Sequence, residues 1–97
     1  MNWDATVLSG ADNVATALRP IAAGEAVRVQ SPDGIVDVVA VEAIPLCHKI
    51  ALRAIRAGDD VFKYGYCVGV ARTAIAPGSW VHVHNLVSRR AQPAQRG

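Results

Sequence analysis

The sequence predicts a compact, mainly β domain of short strands with one short N-terminal helix. Three observations carry that expectation. The chain is 52% hydrophobic, yet only five residues are aromatic, and the apolar content is mostly Ala and Val, which suits short strands and tight turns. One turn pattern recurs: Ile21-Ala-Ala-Gly24-Glu-Ala-Val27 is matched by Ile55-Arg-Ala-Gly58-Asp-Asp-Val61 and by Ile75-Ala-Pro-Gly78-Ser-Trp-Val81. Finally, 97 residues make one domain with a thin core, since a chain this short buries only roughly two-thirds of its unfolded surface.

The recurring unit is Ile-x-x-Gly-x-x-Val. An apolar anchor is followed by two turn residues, then by a glycine free to take φ > 0, then by a new strand near the valine. Pro77 before Gly78 fits the first central position of a type II turn. The spacing between copies is uneven, which argues against a solenoid.

The elements follow in order. Residues 3–9 alternate loosely and predict a first strand. Ser9 or Asp12 is placed to N-cap a short helix ending at Leu18. Residues 25–30 predict a strand, 31–34 ("SPDG") a turn, and 35–44 a longer strand ended by Pro45. Short strands are expected at 48–52, at 61–64 and around Val68 between Gly65 and Gly69. "WVHVHNL" is expected as the final strand, with structure fading after about Val87. The resulting division is one domain over 1–88 and a flexible basic tail over 89–97.

Composition excludes several function classes. No run approaches the ~18 apolar residues of a membrane helix. The opening "MNWDATVLSG" has no basic segment followed by an apolar one, so a cytoplasmic location is expected. Net charge is +2, but Arg89, Arg90 and Arg96 account for it, and the body without them stands at −1. That is no footprint for nucleic acid. Cys47 and Cys67 belong to no Cys-x-x-Cys pair, are expected to be reduced, and suggest no zinc knuckle.

Chemistry concentrates in a few places. In an extended chain, His82 and His84 of "VHVHN" share one face, about 7 Å apart, while Val81 and Val83 share the other. This pattern allows a polar strand face, a substrate-contacting or proton-transfer pair, or a metal site. A metal site needs further ligands, for which His48 and the two cysteines are the strong candidates. Of the pair, His84 is the better candidate for catalysis, because Asn85 adds a polar group at the strand end. Lys63 and Tyr64 are strand neighbours that meet one ligand only if Gly65 twists the strand; the Lys63 ammonium suits a carboxylate or sulfonate. His48 and Lys49 open a strand after Pro45. Asp59 and Asp60 lie in a turn, where aspartates bond local backbone.

With these residues placed, "IPLCHKIALRAIRAGDDVFKYGYCVGVA" followed by "IAPGSWVHVHN" resembles the small β-domain of the altronate/galactarate dehydratase family, a member of the SAF group. The resemblance spans roughly residues 5–88. It is carried by His48-Lys49, Lys63-Tyr64-Gly65, Gly69 with Ala71, and His82-Val-His84-Asn85, together with the opening "ADNVATALRPIAAG". Two departures stand out. Cys47 occupies a place where the family often has glycine, and "YCV" before Gly69 is not the commonest form.

The resemblance implies a β-clip (SAF-like) fold and a role in a lyase, specifically a hydro-lyase acting on sugar acids. In that reading the chain is the small subunit of a dehydratase, with His84 catalytic. His48, Lys49, Lys63, Tyr64, His82 and Asn85 are then the substrate-binding residues. No cofactor or metal is expected on this chain; a divalent metal, with iron a candidate, is expected on a large catalytic subunit as partner. The small subunit of a sulfolactate sulfo-lyase and a stand-alone acidic-sugar-binding module are the alternatives. The substrate would be a sugar acid or sulfolactate, with no nucleic-acid or membrane partner. Assembly of several copies of the chain stays open.

Overall fold

The turn unit that the sequence shows three times occurs four times in the structure, a computed structural model that describes residues 3–93. The copies span residues 17–27, 40–50, 51–61 and 71–81. Each opens on a buried alanine (Ala17, Ala40, Ala51, Ala71) and carries a buried isoleucine four positions on (Ile21, Ile44, Ile55, Ile75). Each ends on a buried β-branched residue: Val27, Ile50, Val61 or Val81.

The copies work in reciprocal pairs. Ile21 and Ile44 exchange both backbone hydrogen bonds, as do Ile55 and Ile75. The Gly24 N–H donates to the Ala40 carbonyl at 2.7 Å, and the Cys47 N–H donates to the Ala17 carbonyl at 2.9 Å. In the second pair, Gly58 donates to Ala71 and Gly78 to Ala51, both at 2.8 Å. The six apolar anchors of the first pair pack in one core, with Val7, Val29 and Trp80 against it. Those of the second pair pack in another, with Val14 and Leu86. Two small cores, each closed by a pair of interlocked turns, stand in for the single large core that a chain this short cannot build.

Nine strands result among the described residues: β1 (Ala5–Thr6), β2 (Val14–Ala17), β3 (Ala26–Ser31), β4 (Gly34–Val39), β5 (Lys49–Ala51), β6 (Asp60–Lys63), β7 (Tyr66–Ala71), β8 (Trp80–Val81) and β9 (Leu86–Pro93). Six form a sheet in the order β4-β3-β1-β2-β5-β8, and three form a second in the order β6-β7-β9. All neighbouring pairs are antiparallel except β1 with β3. The protein is thus mainly β.

The short N-terminal helix is corrected: among the described residues there is no helix, and its place is taken by β2. Val14, Ala15 and Ala17 are all buried, because β2 lies between β1 and β5 and has apolar neighbours on both faces. A helix would bury one stripe only. Asp12, expected as a helix cap, instead directs its carboxyl group at the β6–β7 turn.

The "WVHVHNL" strand is also corrected. It ends at Val81, residues 82–85 form a turn, and a new strand begins at Leu86. The 35–44 strand ends at Val39, since Ala40 opens the second turn unit. The expected boundary at residue 88 falls inside β9, which pairs with β7 out to Pro93 opposite Tyr66. Residues 94–97 of the expected tail lie outside the described residues.

Candidate functional site

The turn that follows Ile44 positions the first site residue. Its i to i+3 bond runs from the His48 N–H to the Pro45 carbonyl at 3.0 Å, and β5 starts at once with Lys49. β8 pairs antiparallel with β5 in the register Lys49 to Val81 and Ile50 to Trp80. Trp80 is therefore on the adjacent strand, and its backbone N–H is held by the Glu42 carboxylate at 3.0 Å. Its indole Nε1–H donates to His48 Nδ1, also at 3.0 Å.

The other two histidines gather on the same indole. The His82 ring stacks on Trp80 with centroids 5.3 Å apart and an interplanar angle of 10°. The His84 ring lies 5.1 Å away, tilted by 41°. His48 and His82 are themselves 4.6 Å apart. All three histidines of the chain thus surround one tryptophan.

Asn85 makes this possible. Its Oδ1 accepts the His82 N–H at 2.9 Å, and its Nδ2 donates to the Trp80 carbonyl at 2.9 Å. Its own N–H donates to the His82 carbonyl. With 8% of its surface exposed, Asn85 closes the turn that folds His82 and His84 back onto Trp80. The two valines that an extended strand would place on one face are split as a result: Val81 is fully buried, whereas Val83 is 70% exposed at the turn.

A second group adjoins the first. Lys49 is half-buried, and its pKa is lowered first by loss of solvation and then by the charge of Lys63. Lys63 sits 5.0 Å above the Tyr64 ring. Strand neighbours meet here because the chain leaves the strand at Tyr64. Tyr64 (φ 58°) and Gly65 (φ 80°) are both left-handed, the arrangement of a type I′ hairpin turn. Asp12 holds that turn: its two carboxyl oxygens accept the Tyr64 and Gly65 N–H groups at 2.8 Å each. The Tyr64 hydroxyl lies 3.4 Å from Thr16 Oγ1, and Thr16 faces Lys49 across the β2–β5 pair.

The two groups sense one another. The His82 pKa is lowered, first by partial burial and then by the positive fields of His48, Lys49 and His84. Loss of solvation and mutual repulsion among cations are the conditions that favour an anionic ligand.

The structure therefore brings His48, Lys49, Lys63, Tyr64, His82 and His84 to one face, with Asn85 beneath it. Sequence reasoning missed Trp80, Asp12, Thr16 and Glu42. Only Trp80 left a signal, its i, i+2, i+4 spacing with His82 and His84. Among the described residues, no group of three or more His, Cys, Asp or Glu comes together to hold a metal. His48 Nδ1 is occupied by the Trp80 indole N–H.

Fold and site together define a small, mainly β domain with an imidazole- and lysine-rich face. Its sequence matches the altronate/galactarate dehydratase SAF domain over residues 3–89, and the chain belongs to that family. It is similar to the altronate dehydratase of Bacillus subtilis (strain 168), at 39% identity over 74 residues covering 76% of this chain and 14% of that protein. It is also similar to the (2R)-sulfolactate sulfo-lyase subunit alpha of Paracoccus pantotrophus, at 43% over 47 residues covering 48% of this chain and 70% of that one. A third relative is the galactarate dehydratase (L-threo-forming) of Escherichia coli (strain K12), at 39% identity, with coverage of 64% and 11%. These relatives are dehydratases and lyases, and the alignment spans only 14% of the length of the Bacillus altronate dehydratase. No helix among the described residues is long and apolar enough to cross a membrane.

Proposed function

We propose that the chain is the small subunit of a sugar-acid dehydratase-type lyase. It would supply substrate-binding groups to a site completed by a metal-bearing large subunit. The observation that carries this reading is the convergence of three imidazoles and two lysines around Trp80 and Tyr64, in a chain of the dehydratase SAF family. Dehydration of a hydroxy acid removes the proton α to the carboxylate and breaks the β C–O bond; water leaves, and the resulting enol becomes a 2-keto acid. The step needs a base, a group that stabilises the enediolate, and an acid for the leaving hydroxyl.

Lys49, a half-buried cation with reduced solvation, and the nearby Lys63 ammonium suit the carboxylate. His48, His82 and Tyr64 offer N–H and O–H groups to substrate oxygens. Asn85 supports the face from below by shaping the turn. His84 is exposed at that turn, the position suited to passing a proton to or from a substrate held between two chains.

A second reading has its own support. The relatives that this chain covers over most of their length are sulfo-lyase alpha subunits, one to 70%, whereas it covers 14% of the Bacillus altronate dehydratase. In a sulfo-lyase the same elimination expels sulfite in place of water. Co-expression with a large chain of the dehydratase or of the sulfo-lyase type, followed by turnover assays on aldonates, aldarates and sulfolactate, separates the two. His84→Ala and Lys63→Ala should each lower turnover of the complex by roughly 10²-fold, the scale of a lost proton-transfer group. If both variants retain full activity, the substrate groove does not lie on this face.

A further inference from the structure

Trp80 is in contact with all three histidines, and nothing in the proposed reaction uses it. The indole Nε1–H is a donor only. Its partner at 3.0 Å, His48 Nδ1, must therefore act as an acceptor, and in the neutral ring the proton then resides on Nε2. Trp80 is itself anchored from three sides. Glu42 holds its N–H, Asn85 holds its carbonyl, and β5 pairs with its strand. His82 stacks flat on the indole and also lies against His48 at a 36° tilt, so the His48 ring is held between a fixed hydrogen bond and the His82 ring.

We propose that Trp80 is a positioning residue that locks His48 as the Nε2-protonated tautomer, so that His48 meets a ligand as an N–H donor. Its remaining nitrogen is occupied by the indole, so His48 does not act as a base. It donates to an anionic or hydroxyl oxygen, and proton acceptance falls to another group. The inference concerns geometry within this chain and stands whether the chain serves a dehydratase, a sulfo-lyase or neither.

The test uses the 97-residue chain labelled with ¹⁵N. Long-range ¹H–¹⁵N correlation spectra are recorded at roughly pH 8, where an ordinary imidazole is neutral. The expected result is a single Nε2-protonated pattern for His48 and its loss in Trp80→Phe, which keeps the aromatic bulk but removes the donor. A second measurement covers the case in which Trp80→Phe fails to fold. The Trp80 indole proton should exchange with solvent at least ~10-fold more slowly than that of Trp3, and His48→Ala should abolish the difference. An Nδ1-protonated or mixed His48 in the unaltered chain overturns the proposal. So does a tautomer unchanged by Trp80→Phe, or an indole proton whose exchange ignores His48→Ala.

Discussion

Cys47 and Gly24 occupy the same position in two copies of one turn. Each donates its backbone N–H to the alanine that opens the paired copy, Cys47 to Ala17 and Gly24 to Ala40, and each is left-handed, at φ 71° and 87°. For glycine this costs nothing, but a residue with a Cβ is disfavoured there by about 1–2 kcal/mol. The Cys47 side chain is exposed and makes no disulfide, so little packing offsets the strain.

Cys47→Gly should therefore stabilise the domain by about 1 kcal/mol, less the entropy that glycine adds to the unfolded chain. A urea titration with a raised midpoint and an unchanged slope checks it. The sister position Gly78 sets the opposite limit. A Cβ there would collide with the Val39 carbonyl, so Gly78→Ala should cost several times more than Gly58→Ala, whose Cβ would meet open space.

Asp12→Ala should destabilise the chain by about 3 kcal/mol. The substitution leaves the Tyr64 and Gly65 N–H groups without an acceptor and removes the contact that holds Tyr64 in its left-handed conformation, a loss that outweighs the relief of backbone strain. The same change should free the Tyr64 ring from Lys63, visible as loss of the contacts between their resonances. If stability falls by less than about 1 kcal/mol, Asp12 does not hold the turn.

Val81→Asp and Val83→Asp should differ sharply although they lie two residues apart. Val81 is fully buried in the second core, and an unpaired carboxylate there costs several kcal/mol, enough to unfold a marginally stable domain. Val83 is 70% exposed, so its replacement should change stability by no more than about 0.5 kcal/mol. Circular dichroism of the two variants separates the outcomes.

Stability should decline on mild acidification, and His82 should carry part of that decline. Its pKa in the folded chain lies below the ordinary 6.5, because partial burial and the neighbouring positive groups disfavour the imidazolium. Between the folded and unfolded values, the unfolded chain binds the proton and the folded chain does not. The associated stability is complete above 6.5 and is lost as the pH falls from there to the folded value. Urea midpoints measured across that window should fall with pH, and His82→Gln should flatten the slope.

The recurring Ile-x-x-Gly-x-x-Val turn, the mainly β class and the dehydratase SAF family were legible in the order of residues, because each rests on local patterns. A glycine two residues past a turn, or a His-Lys pair after Pro45, means the same thing wherever the rest of the chain goes. The fourth turn was hidden because Cys47 stands where a glycine would have announced it. Only the pairing with Ala17 forces that residue to be left-handed.

Tertiary structure alone decided three further points. Residues 13–18 carry a helix-compatible pattern, yet they become β2 because β1 and β5 bury both faces, and packing outweighs a propensity difference of tenths of a kcal/mol. The alternation of "VHVHN" satisfies a strand, but Asn85 bonds both the His82 N–H and the Trp80 carbonyl, and these two part-buried hydrogen bonds turn the chain instead. Finally, His48 meets His82 and Trp80 across more than thirty residues of sequence only because β8 pairs with β5 in one register. Side-chain chemistry can be read from a sequence; which nitrogen receives which proton depends on neighbours that only the folded chain brings together.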